Sequence, residues 1–486
     1  MNRRKLLVSS SGIAALLASK GVLAVPMPPV IAGGNIGNSG YTPTHFASAN
    51  ANGGGSGSAS SPWTLEEAMR NAVAGNRVQV EPGIYVGRGT VGRWASAFAP
   101  SNSGTSDNPI VFFAANRSGL SYVAGLTTEI RSGGTSGSNG SPAFGAPDRS
   151  YIIFDGFYTD NNANNNKSSR DTGPVNLNGS VGCEVRNCVI KGVENQVTGD
   201  NYCGVRLEVA ADCIVSDCYI SGFRSDGGSV SQNHAGVMSY DARNCVVANC
   251  EIVNCGCGIF WKGDHSGDGA PQYGLDTHHN IFRNNRWADV RFGGVSGDEQ
   301  NRVFQNHFIS DGTPSSGAVV FTSYVAGSPT NVWVANNTFV GHHKAILTQA
   351  TTPLSNRIYN NIFYGVQHVY GSYSTSDVPT FLNAFSAINY NLYRGISNFS
   401  YTEGSGSMTQ LTFTSWRSSY GMDQQGIIEQ DPRLASVQAE DYSLLSGSPA
   451  QNAGLDVLNL LGFGTSSQIN IGSDIGNGDV IGRRAS

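Results

Sequence analysis

Apolar and polar positions follow one another in a short unit that recurs along this chain from Ile153 to Tyr393. An apolar residue, a spacer, a polar pair and a second spacer lead to another apolar or aromatic residue. Clear copies are Val185-Arg-Asn-Cys-Val-Ile190, Val215-Ser-Asp-Cys-Tyr-Ile220, Val247-Ala-Asn-Cys-Glu-Ile252, Phe282-Arg-Asn-Asn-Arg-Trp287, Val303-Phe-Gln-Asn-His-Phe308, Val334-Ala-Asn-Asn-Thr-Phe339 and Ile358-Tyr-Asn-Asn-Ile-Phe363. Weaker copies stand at Ile153 to Tyr158 and at Ile388 to Tyr393. Successive anchors lie 21 to 35 residues apart, so the period is loose while the unit is not. A unit of this size, repeated, marks a solenoid.

The repeats are rich in Val, Ile and Phe, punctuated by Gly and Asn, with no long 3.6-residue periodicity between them. They predict β coils rather than helical hairpins. One slot holds Gly156, Cys188, Cys218, Cys250, Asn285, Asn306, Asn337, Asn361 and Asn391 at the same phase. In a parallel β-helix, coils stack at about 4.8 Å and equal phases become a column. Buried Asn side chains in such a column can hydrogen-bond to the neighbours above and below, and small Cys side chains can fill the same slot apolarly. The predicted fold class is all-β, a right-handed parallel β-helix solenoid with an N-terminal capping helix. The helix is expected from the capping box Thr64-Leu-Glu-Glu67 and the apolar spacing of Leu65, Ala68, Met69, Ala72 and Val73.

A second register aligns Gly204-Val-Arg-Leu-Glu208, Gly236-Val-Met-Ser-Tyr240, Gly258-Ile-Phe-Trp-Lys262, Asp289-Val-Arg-Phe-Gly293, Ala318-Val-Val-Phe-Thr322 and Ala345-Ile-Leu-Thr-Gln349. Strand alternation sends Val205/Leu207, Ile259/Trp261, Val290/Phe292 and Val319/Phe321 to the core. The other face then carries Arg206, Glu208, Met238, Tyr240, Phe260, Lys262 and Arg291. Loops bearing His234, Asp241, Asp264, His265, His278 and His279 leave the strand ends or the turns beside them. A sheet face of this kind is a shallow groove suited to an extended polymer, and the ionisable groups gathered on it make a candidate active site.

Composition narrows the setting. The chain has 486 residues, with 62 Gly and 13% charged residues, as a turn-dense β protein would. A net charge of -5 gives no electrostatic case for nucleic acid, so an acidic ligand needs a local basic patch. Residues 1–24 read as a twin-arginine-like export signal, with Arg3-Arg4-Lys5, an apolar run and Val22-Leu23-Ala24 as cleavage site. Residues 25–60 form a Gly/Ser/Asn-rich lead-in, and residues 61–480 a single β-helix domain. The mature protein is expected outside the cytoplasm, periplasmic or extracellular, without a membrane span and as a monomer. Of nine Cys, six recur as Cys183/Cys188, Cys213/Cys218 and Cys245/Cys250, a spacing that favours reduced, buried columns over a disulfide framework. Cys255 and Cys257 are the exceptions to watch. His342 and His343 fall in a turn and are expected at the surface.

The start Ser61-Pro-Trp-Thr-Leu-Glu-Glu-Ala68, the turn Pro82-Gly-Ile-Tyr85, and the later Asp431-Pro-Arg-Leu434, Asp441-Tyr-Ser-Leu-Leu445 and Ser448-Pro-Ala-Gln-Asn-Ala-Gly454 together resemble the pectate-lyase-like family of right-handed parallel β-helix proteins. That family includes polysaccharide lyases, glycoside hydrolases, epimerases and phage tailspikes, so the resemblance implies fold before chemistry. Trp261-Lys262-Gly263 followed by Arg291-Phe-Gly293 is similar in outline to alginate and chondroitin-type lyases of this fold. The chemistry expected is β-elimination from a uronate-containing, acidic polysaccharide, in which a base takes the C5 proton and a cation offsets charge on the carboxylate. Repulsion from a neighbouring Arg disfavours the charged form of a Lys and suits it to the role of base. The assignments are Lys262 as base, Arg291 as carboxylate neutraliser and Tyr240 or His265 as proton donor, with Arg206, Glu208, Phe260 and His234 binding substrate. No metal is assigned; calcium stays open through Glu208, Asp241 or Asp264. Two alternatives also stay open. One is a glycoside hydrolase using carboxyls among Asp241, Asp264 and Asp289, none of which the alignment places at an outward strand position. The other is a non-catalytic carbohydrate-binding or structural solenoid.

Overall fold

The computed structural model describes residues 40–473, apart from 89–94, 118, 135–140, 164–165, 167–172, 194–200, 225–232, 264–271, 295–299, 313–316, 323–328, 350–353, 373–381, 403–410 and 461–469. The export segment and most of the lead-in lie outside the described residues. Packing divides the chain into two compact units. Of the described residues, one unit runs up to Ser239 and includes Asn244–Glu251; the other comprises Tyr240–Arg243 and the residues from Ile252 to Ser473. Both are right-handed parallel β-helices whose coils give one short strand to each of three sheets.

In the first unit, one sheet runs through His45–Ala47, Arg77–Val80, Ile110–Ala114, Ile152–Asp155, Glu184–Arg186, Ile214–Ser216 and Val246–Ala248, all parallel. A second sheet runs from Gly83–Val86 through Thr128–Arg131, Tyr158–Asp160 and Val189–Lys191 to Tyr219–Ser221. The third contains Phe144–Gly145, Val175–Asn176 and Cys203–Glu208. The helix Leu65–Asn71 forms with the expected capping box, Thr64 and Glu67 answering each other's backbone N–H, and it buries Leu65, Ala68 and Met69.

The second unit repeats the plan. Its third sheet stacks Cys257–Trp261, Ala288–Gly293, Gly317–Thr322, Lys344–Thr348, His368–Ser372 and Asn398–Thr402. The register pairs Ile259 with Val290 and Val319, and Trp261 with Phe292 and Phe321, as the second sequence register predicts. These side chains are fully buried. Trp261 is core, with its indole N–H donating to Thr277 Oγ1 at 3.0 Å.

The polar pair of the repeat resolves into two different jobs. Its first residue turns the chain through the left-handed region: φ lies between 52° and 57° at Asn187, Asp217, Asn249, Gln305, Asn336 and Asn360. Asn and Asp tolerate that conformation better than most residues. The second residue points inward. From Asn306 to Asn337, Asn337 to Asn361 and Asn361 to Asn391, the backbone N–H and Nδ2 of each donate to Oδ1 of the next, at 2.9 to 3.0 Å. Each Nδ2 also reaches a backbone carbonyl of the coil before, as Asn337 does to Val303 at 2.9 Å. In the first unit the thiols of Cys188, Cys218 and Cys250 meet the equivalent carbonyls of Phe154, Val185 and Val215.

Two slots depart from the expected phase. Asn280, not Asn285, is the column member before Asn306, donating to its Oδ1 at 3.0 Å from both nitrogens. Asn285 is a turn residue that accepts from Cys255 N and donates to Asp289. Gly156 occupies the left-handed turn position, with φ 84°, and register places Phe157 at the inward slot. Beside the Asn column, Phe282, Phe308, Phe339, Phe363 and Tyr393 stack with centroids 4.6 to 5.3 Å apart and planes within 14°. That is the coil spacing expressed in rings. All nine cysteines are free and buried, Cys255 and Cys257 included.

Candidate functional site

The second unit brings four of the expected site residues together. Lys262 follows the strand Cys257–Trp261, and Arg291 lies in the adjoining strand, directly opposite Phe260. Gly258 makes the close stacking feasible: a Cβ there would sit 2.5 Å from the Asp289 carbonyl oxygen. Lys262 Nζ lies 4.8 Å from the Tyr240 ring centroid and 5.8 Å from that of Phe260. Arg291 Cζ lies 4.2 Å from the Phe260 ring and 4.1 Å from the Trp287 ring. Two cations thus share one aromatic ring, and two further rings bound the set.

Arg291 is held further. Its Nε donates to Thr322 Oγ1 at 3.3 Å, and the Thr322 hydroxyl donates in turn to the Phe292 carbonyl at 2.9 Å. The Cys257 thiol also hydrogen-bonds with Arg291; burial pushes that thiol up to about 11, against the pull of the guanidinium. Neither Trp287 nor Thr322 is evident as a site residue in the sequence. Trp287 hides because the misphased repeat assigns it the role of a core anchor.

The expected groove residues are buried. Tyr240, Phe260, Lys262 and Arg291 have the outward phase, yet their relative exposures are 6%, 0%, 2% and 5%. Alternation fixes the side of the sheet on which a residue lies but not what packs over that side. Phe260 has no exposure to solvent and has both cations near its ring. His265 and Asp264 lie outside the described residues.

Asp289, two residues before Arg291 on the same strand, shares its side, which corrects the expectation that no Asp takes an outward strand position. It is buried, accepts from Asn285 Nδ2 at 2.9 Å and faces His342 Nε2 across 3.3 Å. Burial drives the Asp289 carboxyl well above the usual carboxylate range and pushes His342 down to about 3. His342 is therefore an interior residue, 4% exposed, and not the surface one its turn position suggests.

Arg206, Glu208 and His234 belong to the first unit. Arg206 Nε and Glu208 Oε2 form a buried ion pair at 2.7 Å, and Arg206 Nη1 lies 3.1 Å from Met238 Sδ. His234 is fully buried, its ring edge-on to Tyr202 at 5.9 Å. The Glu208 carboxylate, one of the open calcium ligands, is engaged by Arg206. Among the described residues, no three His, Cys, Asp or Glu side chains gather as a metal site, and no helix is long and apolar enough to cross a membrane.

Residues 152–363 match the family model for a right-handed β-helix region. No curated protein matches the chain in sequence. Among solved structures, the chain is similar to the pectate lyase Pel9A, with TM-score 0.50 and 14% identity over 89% of this chain and 96% of that one. It is also similar to a tailspike protein of E. coli bacteriophage HK620 in complex with a pentasaccharide, with TM-score 0.46 and 11% identity over 73% and 60% of the two chains. The catalytic unit of an α-1,3-glucanase from Streptomyces thermodiastaticus gives TM-score 0.44 and 13% identity over 80% and 68%. At these identities the likeness is one of fold.

Proposed function

From the premise that this chain is a right-handed parallel β-helix, we propose that it cleaves a uronate-containing polysaccharide by β-elimination at the Tyr240–Lys262–Arg291 cluster. The observation that carries the reading is the pair of cations beside the Phe260 ring, at 5.8 and 4.2 Å from its centroid, with a phenol ring against the lysine. In this assignment Lys262 takes the C5 proton, Arg291 faces the uronate carboxylate, and Tyr240 or His265 protonates the leaving oxygen. Arg291, clamped by Phe260, Trp287 and Thr322, is preorganised for a planar anion. The 2% and 5% exposures of Lys262 and Arg291 add a requirement: both side chains must become accessible before a saccharide can reach them.

The same burial favours a second reading, in which the cluster is a cation–aromatic contact that holds the coils and the solenoid binds glycan without cleaving it. Incubation with alginate, pectate and glycosaminoglycans separates the two. Ultraviolet absorbance of an unsaturated product supports elimination. New reducing ends without that absorbance would point to hydrolysis, and glycan binding without product to the binding solenoid. Lys262→Met keeps the stem and removes the amine, so its elimination rate is expected to fall by about 10² to 10⁴; full retention would remove Lys262 from the mechanism.

A further inference from the structure

On the outward side of the first unit's longest sheet, three carboxyls and two guanidiniums are packed into a buried set that the proposed chemistry does not use. Asp155 ends the strand Ile152–Asp155. Glu184 and Arg186 stand two apart on the next strand, and Asp217 occupies the turn after Ile214–Ser216. Arg117 comes from the loop beyond Ile110–Ala114. Relative exposures are 0% for Asp155, 3% for Glu184, 2% for Arg186, 6% for Asp217 and 8% for Arg117. Arg186 Nε contacts Asp155 Oδ2 at 2.9 Å while its Nη1 contacts Glu184 Oε1 at 3.2 Å, so one guanidinium serves two carboxyls. Asn187 Nδ2 donates to Asp155 Oδ1 at 2.8 Å. Tyr41 lies over the set, with Arg186 Cζ 5.5 Å from its ring centroid. Among the described residues, Arg117 Nε, Arg186 Nη2, Asp217 Oδ1 and the Tyr41 hydroxyl are buried there without a hydrogen-bond partner.

Charge counting decides what this set needs. Three ionised carboxyls against two guanidiniums leave one negative charge uncompensated in a place where burial makes charge costly. A proton is the smallest cation that removes it, and a protonated carboxyl also becomes a donor for an acceptor such as Asp217 Oδ1. We propose that Asp155, Glu184 and Asp217 form a proton-binding site, and that the proton taken up from solvent helps to keep the Tyr41 segment closed over the first coils. The step is a simple protonation: one carboxylate becomes a carboxylic acid as hydronium becomes water.

Burial, the largest cause at each carboxyl, supports the direction. It raises Glu184 to about 8, with Asp155 and Asp217 adding repulsion; Asp155 rises to about 7 against Arg117 and the Asn187 hydrogen bond, and Asp217 to about 6 against hydrogen bonds from Ser216 and Asn249 and the two guanidiniums. Folded values above the unfolded ones mean that the folded state binds more protons than the unfolded state between about pH 4 and about pH 8. The stabilisation is therefore complete below about pH 4 and declines as pH rises through the folded values.

The test is urea unfolding from about pH 4 to about pH 9 for the whole protein and for Glu184→Gln, an isostere of the protonated acid. The set's contribution makes the wild-type unfolding constant rise with pH, by up to about tenfold per pH unit for each proton released, alongside an opposite contribution from groups such as His342, whose folded value lies low. Glu184→Gln should flatten that slope, and hydrogen exchange of residues 41–47 should lose its pH dependence beyond the intrinsic rate. Asp217→Asn, which suits the left-handed turn, is the second variant if the first fails to fold. A folded variant whose curve runs parallel to the wild type's overturns the proposal.

Discussion

Arg291 lies with its guanidinium carbon 4.1 Å from the ring centroid of Trp287, on a strand whose neighbour presents Phe260 at 4.2 Å. A guanidinium held against two rings and a threonine hydroxyl has little freedom left to lose on meeting a carboxylate. A lysine in its place would keep the charge without the plane, the fork or the stacking. Arg291→Lys is expected to lower kcat/KM on a polyuronate by about 10² to 10³, the range for losing one oriented charge-stabilising donor. Initial rates of unsaturated-product formation, compared with far-ultraviolet circular dichroism to confirm folding, check it.

The Asn column of the second unit ends on a carboxylate. Asp423 Oδ1 accepts from Asn391 Nδ2 at 2.9 Å and from its backbone N–H at 3.2 Å, while Oδ2 accepts from the Tyr393 hydroxyl at 2.5 Å and Trp416 Nε1 at 3.3 Å. Every partner donates, so an amide at this site would turn its own NH2 against a donor. Asp423→Asn is expected to cost about 1 to 3 kcal/mol, read as a lowered urea midpoint with the Trp416 fluorescence change as probe.

Phe339 has a ring on either side, Phe308 at 4.6 Å and Phe363 at 4.8 Å, and is fully buried. Neighbouring coils are tied by backbone bonds and cannot close a gap of that size. Phe339→Ala is expected to cost about 3 to 5 kcal/mol, whereas Phe339→Leu should cost less by keeping most of the volume. Denaturant titration of the two variants side by side distinguishes them.

The thiols form two columns in the first unit, Cys183, Cys213 and Cys245 in one and Cys188, Cys218 and Cys250 in the other. Burial raises the thiols of Cys213 and Cys218 well above their usual range, and neighbouring thiols add to it. Thiolate is the reactive form. A thiol reagent at neutral pH is therefore expected to find none of the nine cysteines in the folded protein and all nine after unfolding without reductant. Fewer than nine after unfolding would mean disulfides.

The repeat carried the fold openly because a parallel coil imposes one phase on every copy, and Val, Phe and Asn each betray their phase by burial chemistry. It misled at one coil. Anchors at Phe282 and Val303 are spaced too closely, and the preceding step is too long, because the Asn-Asn pair at Asn284 and Asn285 imitates the true pair His279–Asn280. A histidine in a left-handed turn, φ 56°, gave no compositional signal. The site was legible to the level of strand side: Tyr240, Phe260, Lys262 and Arg291 do meet. Their burial was not, since a two-residue alternation gives the side of the sheet and says nothing about how closely side chains pack on that side. The Asp155–Arg186 set was hidden because the repeat marks Arg186 only as a spacer.

In the Asn column every side-chain amide sends one N–H to the following coil, from Asn280 through to Asn391, and from Asn306 to Asn391 each turns its Oδ1 to the Asn of the coil before. Aligned amides add, so the column is a vector with its positive pole at Asp423, and the carboxylate there stands to the coils as an acidic N-cap stands to a helix. The stack consequently has a direction that its symmetric-looking coils conceal. A coil inserted midway can pass the chain of donors along if it brings one asparagine in phase. A coil appended beyond Asp423 would separate the pole from its counter-charge unless it carried an acid of its own.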